Sequence, residues 1–115
     1  MTNQTAFNRA VRALRLQGKQ SIDRGGICLY RGPDDLKCAI GHLIPDRVYS
    51  VGMENWNPFN LCEEFSYLRR LFRDCDLTFL SELQVIHDQT MPEGWEEKWE
   101  CLAFRWNLTM PRKKA

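Results

Sequence analysis

The sequence predicts an α+β fold in which about four amphipathic helices pack around a small β-hairpin. Most of the chain repeats apolar residues at three- and four-residue spacing, which is the period of one helix face. Two short apolar runs, 27–30 and 36–39, instead flank turn-forming residues at 32–35, which is typical of a hairpin. A chain of 115 residues suits a single domain, which we place at 1–108, followed by a disordered basic tail at 109–115.

The first helix is predicted at residues 5–17, with Thr5 as its N-cap and Gly18 as its stop. One face is apolar, and Arg9 and Arg12 begin a basic stripe beside it. The stripe is typical of a solvated helix face, but it is also a candidate contact for phosphate or an acidic partner. It carries no interleaved aromatic residues, which weakens the prediction of nucleic-acid binding.

The predicted hairpin has two alternative registers. If residues 31–35 form the loop, Cys28 lies directly opposite Cys38. If the loop is only 32–35, Cys28 faces Ala39 and the two thiols point to opposite faces, because a slip of one residue exchanges the faces. The chemistry of this cysteine pair therefore depends on the turn.

A helical turn is predicted after the hairpin, and Pro45 ends it. Cys38 and His42 are four residues apart and lie on the same side of that turn. Gly41 is small enough to let a neighbouring element pack closely against the turn. Residues 47–57 that follow are predicted to form an irregular surface loop.

Two further helices are predicted from their start signals. Asn57 followed by Pro58 is a strong signal for the start of the second helix, which carries a narrow apolar stripe. Asp76 or Thr78 caps a third helix that extends to about Thr90 and has a wide apolar face. A wide apolar face indicates a helix that is covered on more than one side.

A fourth helix is predicted from Glu93 or Trp95 to about Asn107. Three of the four tryptophans lie on one stripe of this helix, so we expect them in the core, where each ring contributes about 2–3 kcal/mol. Residues 82–100 hold six acidic residues against one lysine. We therefore expect this part of the chain to face the basic first helix.

The cysteines and histidines form a candidate zinc site. Cys28, Cys38 and His42 supply three ligands, and His87 or Cys62 supplies the fourth. The sequence has no C-x-x-C pair, and Cys-x9-Cys-x3-His matches no familiar zinc module, which weakens this hypothesis. His87 lies on the apolar face of the third helix, where a histidine is usually a buried, hydrogen-bonded structural residue.

A cysteine nucleophile is a second hypothesis. Cys38 would attack the substrate, with His42 or His87 as the base and Asp88 or Asp46 orienting that base. Other catalytic signatures, such as a dinucleotide-binding glycine motif, H-E-x-x-H and G-x-S-x-G, are absent from the sequence. We therefore consider an enzyme the less favoured class.

The predicted loop carries the side chains of a candidate protein-binding surface. Tyrosine, tryptophan and arginine are the residues that most often dominate the binding energy of protein interfaces. The loop supplies these types together with a methionine and a glutamate. The candidate contacts are Arg47, Tyr49, Met53, Glu54 and Trp56, and the basic stripe of the first helix is the second candidate.

The pattern K-C-A-I-G-x-L-I-P-D-x-x-Y spans residues 37–49, and Met53-Glu54 follows it. Together with a second block at residues 83–88, this pattern resembles a group of small uncharacterised proteins from bacteria, prophages and tailed phages. Many members of that group are expected to carry cysteine where this chain has His42. The resemblance implies a phage or prophage setting, and it implies no particular chemistry.

Composition narrows the function further. The net charge of +1 indicates neither an acidic nucleic-acid mimic nor a strongly basic nucleic-acid binder. No apolar run approaches the length of a membrane span, and no signal-peptide pattern is present, so we expect a cytoplasmic protein. The leading hypothesis requires neither zinc nor any other cofactor. Five cysteines, an odd number, disfavour a complete disulfide framework.

The sequence thus favours a phage- or prophage-type accessory protein that binds a bacterial protein and inhibits a host or defence factor, in the manner of an anti-CRISPR protein. The alternative is a small zinc-binding protein that contacts nucleic acid, and a cysteine-dependent enzyme is third. A homodimer is also compatible with the tryptophan-rich and loop surfaces.

Overall fold

The computed structural model describes residues 1–113, and helices form most of its regular structure. Five α-helices follow one another: α1 (Asn3–Gln17), α2 (Pro58–Glu64), α3 (Ser66–Leu71), α4 (Leu77–Gln89) and α5 (Trp95–Arg105). We call residues 19–57, between α1 and α2, the central segment. Short 3-10 turns lie at Pro33–Asp35, Gly41–Leu43, Val51–Met53 and Pro92–Gly94. In this part of the chain, no helix combines the length and apolar character that crossing a membrane requires.

The predicted α+β class is wrong, because no β-strand forms within residues 1–113. Ile22 and Cys28 make an isolated antiparallel bridge, and the predicted hairpin does not form in either register. The turn residues adopt a 3-10 turn instead, in which Asp34 and Asp35 have positive φ angles of 59° and 60°. The protein is therefore an α-helical fold with a long irregular central segment.

Side chains from distant parts of the chain hold the backbone of the central segment. The carboxylate of Glu54 accepts hydrogen bonds from the backbone N–H groups of Tyr30 (2.8 Å) and Arg31 (3.1 Å). The side-chain oxygen of Gln84, on α4, accepts from the N–H of Ile40 at 3.0 Å. Because these side chains satisfy the backbone donors, the segment is stable without the ladder of a β-sheet.

The first helix ends where the sequence predicts but begins earlier. Gly18 has a φ of 66° and donates its N–H to the carbonyl of Leu14 at 2.8 Å, which confirms it as the stop signal. The N-cap is Thr2 instead of Thr5, because the Thr2 hydroxyl accepts the N–H of Thr5 at 3.1 Å. Threonine caps well at either position, and a cap at Thr2 adds most of a turn to the helix.

The predicted second helix is two helices, α2 and α3. Asn57 caps α2 as predicted, since its side-chain oxygen accepts the N–H of Asn60 at 2.9 Å. The helix then breaks at Phe65, which has an extended backbone (φ −110°, ψ 105°). The guanidinium of Arg69 donates to the carbonyl of Cys62 at 2.9 Å and satisfies an acceptor that the break leaves without an intrahelical partner.

The third and fourth predicted helices are confirmed as α4 and α5. Asp76 caps α4, and its carboxylate accepts the N–H of Thr78 at 2.9 Å. The expected contact between acidic and basic helices is also confirmed. Arg15 on α1 makes two hydrogen bonds to the carboxylate of Glu96 on α5, at 2.5 and 3.0 Å.

The core joins the helices to the central segment. Phe7 and Leu14 of α1 are completely buried, as are Leu83 of α4 and Leu102 of α5. The central segment contributes buried residues to the same cluster, among them Ile40. The segment therefore belongs to the core and is held by packing as well as by hydrogen bonds.

Residues that follow α5 pack back against α1. The N–H of Thr109 donates to the side chain of Gln4 at 2.9 Å, and Arg15 donates to the carbonyl of Pro111 at 2.8 Å. The sequence predicts a disordered tail at 109–115; these contacts order its beginning, and residues 114 and 115 lie outside the described residues. The contacts place this segment beside the basic stripe of α1.

Candidate functional site

A surface pocket of about 300 Å³ lies between the central segment, the start of α2 and one face of α4. Cysteine thiols, one carboxylate, amides and aromatic rings line it together. The lining residues are Cys28, Tyr30, Cys38, Asn55, Trp56, Asn57, Pro58, Ser81, Gln84, Val85 and Asp88. Its volume is at the lower end of the range for small-molecule sites, so it matches a single large side chain better than a drug-sized ligand.

The helix α4 supplies the polar wall of the pocket. Ser81, Gln84 or Val85, and Asp88 follow one another at steps of three and four residues, so they share one helix face. The Gln84 side chain donates to the Asp88 carboxylate at 2.9 Å. The sequence patterns did not identify Ser81, Gln84 and Val85 as site residues. The polar residues Ser81, Gln84 and Asp88, which recur at helical spacing beside the apolar face, are the signal that could have revealed this wall.

His87 lies behind the pocket, completely buried, and its hydrogen bonds fix its tautomer. The backbone N–H of Ser21 donates to Nε2 at 3.0 Å, so Nε2 carries the lone pair. The proton is therefore on Nδ1, which donates to the Asp88 carboxylate at 2.8 Å. The ring also stacks on Trp95, with centroids 5.7 Å apart. His87 is thus the buried, hydrogen-bonded residue that its position on the apolar face predicts.

Cys28, His87 and Asp88 offer ligand atoms that lie within 4.8 Å of one another. His87 can offer Nδ1 to a metal only if its proton moves to Nε2, where it would face the N–H of Ser21. Burial, and secondly the charge of Asp88, raises the pKa of the Cys28 thiol to about 12. A zinc ion bound here would therefore have to displace the protons of the Cys28 thiol and of Nδ1.

The other predicted zinc ligands have separate partners. The buried Cys38 thiol accepts the N–H of Gly41 at 3.4 Å, and Nε2 of His42 lies 3.0 Å from the side-chain oxygen of Gln17. Cys62 directs its thiol toward the carbonyl of Leu68 at 3.9 Å. Among the described residues, the metal-binding geometry around Cys28 does not include Cys38, His42 or Cys62.

Of the partners predicted for the nucleophile Cys38, His87 and Asp88 form a hydrogen-bonded pair at 2.8 Å, whereas His42 and Asp46 bond to other groups. Burial raises the pKa of the Cys38 thiol to about 12, so the thiol stays protonated at neutral pH. His42 bonds to Gln17, and Asp46 pairs instead with Arg31 at 2.9 Å. Neither side chain is placed to activate this thiol.

His42 gives the protein a pH-dependent stability. Burial, and secondly the charges of Lys37 and Arg31, lowers the pKa of His42 from 6.5 to about 4. The unfolded chain therefore binds a proton at a higher pH than the folded chain. We expect the free energy of unfolding to fall by about 1–2 kcal/mol between pH 6.5 and 4, less than the full linkage because the ring is partly exposed.

Chemical denaturation at a series of pH values would measure this loss, with the variant His42→Gln as the control. Glutamine can keep a hydrogen bond to Gln17 but does not titrate. Carboxylates such as Glu96 add their own acid sensitivity to both proteins. The variant should therefore show a shallower fall, and parallel curves for the two proteins would contradict the prediction.

Two of the five predicted contacts in the loop have structural roles. Met53 is only 1% exposed and belongs to the core, so we correct its assignment as a surface contact. Glu54 directs its carboxylate inward, where it accepts the hydroxyl of Tyr49 at 2.5 Å as well as two backbone N–H groups of the central segment. The loop lacks the periodicity that would separate buried from exposed residues in the sequence.

The remaining loop residues reach the surface to different degrees. Arg47 lies over the ring of Tyr67, 5.1 Å from its centroid, and donates to its hydroxyl at 2.8 Å. Tyr49 is half-buried beneath Arg31. Trp56 is 37% exposed and forms part of the rim of the pocket. The loop therefore presents Arg47 and Trp56 to a partner.

The basic stripe of α1 borders a second pocket of about 360 Å³. Arg9 and Arg12 are exposed, as predicted for a solvated face. Arg12 lines the pocket with Arg112 and with the ion pair of Arg15 and Glu96. The pairing neutralises part of the stripe, which reduces its attraction for phosphate.

Comparisons with known proteins gave no match to a protein-family model, a curated protein or a solved structure.

Proposed function

We propose that this protein is a cytoplasmic accessory protein of phage or prophage type, which binds a bacterial protein and inhibits a host or defence factor. The observation that carries this proposal is Trp56, a rigidly held aromatic side chain exposed at the mouth of a pocket. Protein interfaces draw much of their binding energy from such residues, especially next to a cavity that the partner can fill.

Trp56 is fixed before any partner arrives. Its carbonyl accepts a hydrogen bond from the hydroxyl of Tyr30, and its ring packs edge-to-face against Phe65, with centroids 6.1 Å apart. A side chain that is already ordered loses less conformational entropy on binding. The residue is therefore suited to contribute favourable binding energy.

Other exposed apolar residues extend this surface. Val85 lines the same pocket as Trp56, and Phe59 lines a depression that shares Glu63 with the one beside Trp56; each is 45% exposed. We call Trp56, Phe59 and Val85 the Trp56 surface. Glu63 and Glu64 lie nearby, since they line a shallow depression together with Trp56. An apolar centre with a charged edge is the usual anatomy of a protein-binding surface.

The variant Trp56→Ala is expected to weaken partner binding by about 30-fold, which corresponds to about 2 kcal/mol for the loss of a central aromatic residue. Some loss of stability should accompany it, because the residue is only 37% exposed and its ring packs against Phe65, so thermal unfolding checks that the variant is folded at the assay temperature. The measurement is quantitative capture of bacterial proteins on immobilised protein, followed by affinity determination for each protein retained.

Phe104→Ala is the matched control, because Phe104 is 88% exposed and lies on α5, outside the Trp56 surface. A specific partner should be retained by the wild type and by this control and lost from Trp56→Ala. Equal retention by all three proteins would refute the proposed surface. A change in sedimentation of Trp56→Ala alone would instead assign the surface to a homodimer.

A further inference from the structure

We propose that the pocket beside Trp56 receives an arginine side chain of the partner protein. This inference rests on the proposed function and deepens it, because it names the chemical group that the partner inserts. It follows from four features of the pocket: the charge of Asp88, the hydroxyl of Ser81, the aromatic side chains and the volume.

Asp88 carries the only formal charge among the residues that line the pocket. Its Oδ1 accepts hydrogen bonds from Gln84 at 2.9 Å and from His87 at 2.8 Å, which fix the orientation of the carboxylate. Both of these bonds end on Oδ1, and the Cys28 thiol also lies within reach of the carboxylate. A carboxylate that is held in place and, among the described residues, has no cationic side chain beside it in the pocket is a ready acceptor for a cationic donor.

Ser81 supplies a second acceptor on the same face of α4. The hydroxyl oxygen of Ser81 is buried and has no hydrogen-bond partner among the described residues, and Ser81 lines the pocket two turns before Asp88 on α4. An unpaired buried hydroxyl is unfavourable, so a ligand that hydrogen-bonds to it gains affinity. A guanidinium group carries five N–H donors in a planar fork, so it can donate to the Asp88 carboxylate and keep donors for other acceptors of the pocket.

The negative charge of Asp88 acts on other groups of the pocket. Besides burial, the charge of Asp88 raises the pKa of three groups that line it: Cys28, Cys38 and Tyr30. Glu54 acts in the same direction on Cys38 and Tyr30. A field that opposes the formation of negative charge on three separate groups favours a cation in the same space.

Aromatic side chains complete the complementarity. Trp56 and Tyr30 form walls of the pocket, and tryptophan is the best partner for a cation placed over a ring. Arginine stacks on aromatic faces and is more weakly hydrated than lysine, so it enters a partly apolar pocket more readily. The volume of about 300 Å³ suits one such side chain.

The experiment titrates the full chain with N-acetyl-arginine amide and follows the Trp56 indole and Gln84 side-chain amide signals by two-dimensional NMR. We expect saturable shifts of both signals. N-acetyl-citrulline amide, which has nearly the same shape without the charge, should bind at least about tenfold more weakly. N-acetyl-lysine amide should also bind more weakly. The proposal is overturned if no saturable shift occurs, or if citrulline or lysine matches arginine.

The variant Asp88→Asn tests the charge directly, because asparagine keeps an oxygen that can accept from Gln84 and His87. It should lose the preference for arginine over citrulline, whereas Asp74→Asn, the same change at an exposed position outside the pocket, should keep it. If Asp88→Asn does not fold, Val85→Lys puts a cation on the exposed rim and should cause the same loss. A preference that survives in the folded variant contradicts the proposal.

Partner capture separates this inference from the proposed function. If Trp56→Ala loses the partner but Asp88→Asn retains it, the Trp56 surface is the binding site and the arginine inference is wrong. If Trp56→Ala retains the partner, the proposed function itself fails. If Trp56→Ala and Asp88→Asn both lose the partner, and N-acetyl-arginine amide binds the wild type as expected, the results support the proposed function and the arginine inference together.

Discussion

Gly41→Ala is expected to destabilise the protein by about 3 kcal/mol or more, the largest effect we predict for a single added methyl group. A Cβ atom at this position would lie 3.0 Å from the carbonyl carbon of Tyr30 and 3.2 Å from its Cα, and closer still to its carbonyl oxygen. Real Cβ atoms do not approach backbone so closely, so the two segments must separate. Thermal unfolding should show a fall in Tm of about 10 °C or more.

Backbone atoms cannot make room here as a flexible side chain could. The carbonyl of Gly41 accepts a hydrogen bond from the guanidinium of Arg31, which also donates to the carbonyl of Ile44 at 2.8 Å. The N–H of Gly41 donates to the thiol of Cys38. Separation of the segments would strain these contacts together, which is why we expect the upper part of the overpacking range.

Gly52→Ala is the matched control, because it adds the same methyl group where the nearest atom, the hydroxyl oxygen of Ser50, is 3.7 Å from the new Cβ. Gly52 lies in the 3-10 turn Val51–Met53 and does not need a positive φ. We expect its stability to change by less than about 1 kcal/mol. Similar Tm values for both variants would mean that the approach of Tyr30 to Gly41 is not as close as the structure shows.

The close approach at Gly41 is a feature of the fold that the sequence predicted in part. A small residue in the turn indicates that something packs against it, but the sequence does not identify Tyr30 as that neighbour. Helix boundaries were easier to predict from the sequence, because the signals that set them are local. Gly18, Asn57 and Asp76 act on backbone groups within four residues, and each marks a helix end in the structure.

The hairpin prediction failed because the stabilising contacts are distant in the sequence. Glu54 satisfies the N–H of Tyr30 from 24 residues away, and Gln84 satisfies that of Ile40 from 44 residues away. A local pattern of apolar runs and turn residues carries no information about such partners. The same runs that suggested paired strands are therefore ordered by side chains from a loop and from α4.

Sequence reasoning reached part of the candidate site. Cys28, Cys38, Trp56 and Asp88 were singled out by residue type, and all four line the same pocket. Ser81 was missed because a serine on an amphipathic helix is ordinarily a solvated residue, and its unpaired, buried oxygen is visible only in the packed fold. Residue type identified the chemistry, whereas the assembly of the pocket required the tertiary structure.

Glu54→Ala is expected to destabilise the protein by about 3 kcal/mol. The carboxylate accepts three hydrogen bonds, and each bond to a charged acceptor contributes about 1.5–3 kcal/mol. Water can take the place of the carboxylate at some of the donors in the variant, so the expected loss is smaller than the sum. The donors are the N–H groups of Tyr30 and Arg31 and the hydroxyl of Tyr49. Truncation would leave two backbone amides of the central segment without their partner. Urea denaturation at neutral pH measures the loss.

Tyr49 provides a local readout of the same change. Burial, and secondly the hydrogen bond to Glu54, raises the pKa of the Tyr49 phenol to about 12. In Glu54→Ala that hydrogen bond and the nearby negative charge are both absent. Spectrophotometric titration should therefore show one tyrosine that ionises at a lower pH than in the wild type, provided that the variant is folded in that range.

Glu100→Ala is the matched control for the loss of a carboxylate, because Glu100 is exposed on α5, outside the Trp56 surface, and is not among the residues that hold the central segment. Its stability should remain within about 0.5 kcal/mol of the wild type. If Glu54→Ala were as stable as this control but lost partner binding, Glu54 would be a contact residue, as its loop position first suggested. The other outcome is that Glu54→Ala is less stable but its folded fraction binds the partner with unchanged affinity. Glu54 then acts by holding Tyr30 and Arg31 in place, so that the wall of the pocket is formed before a partner binds.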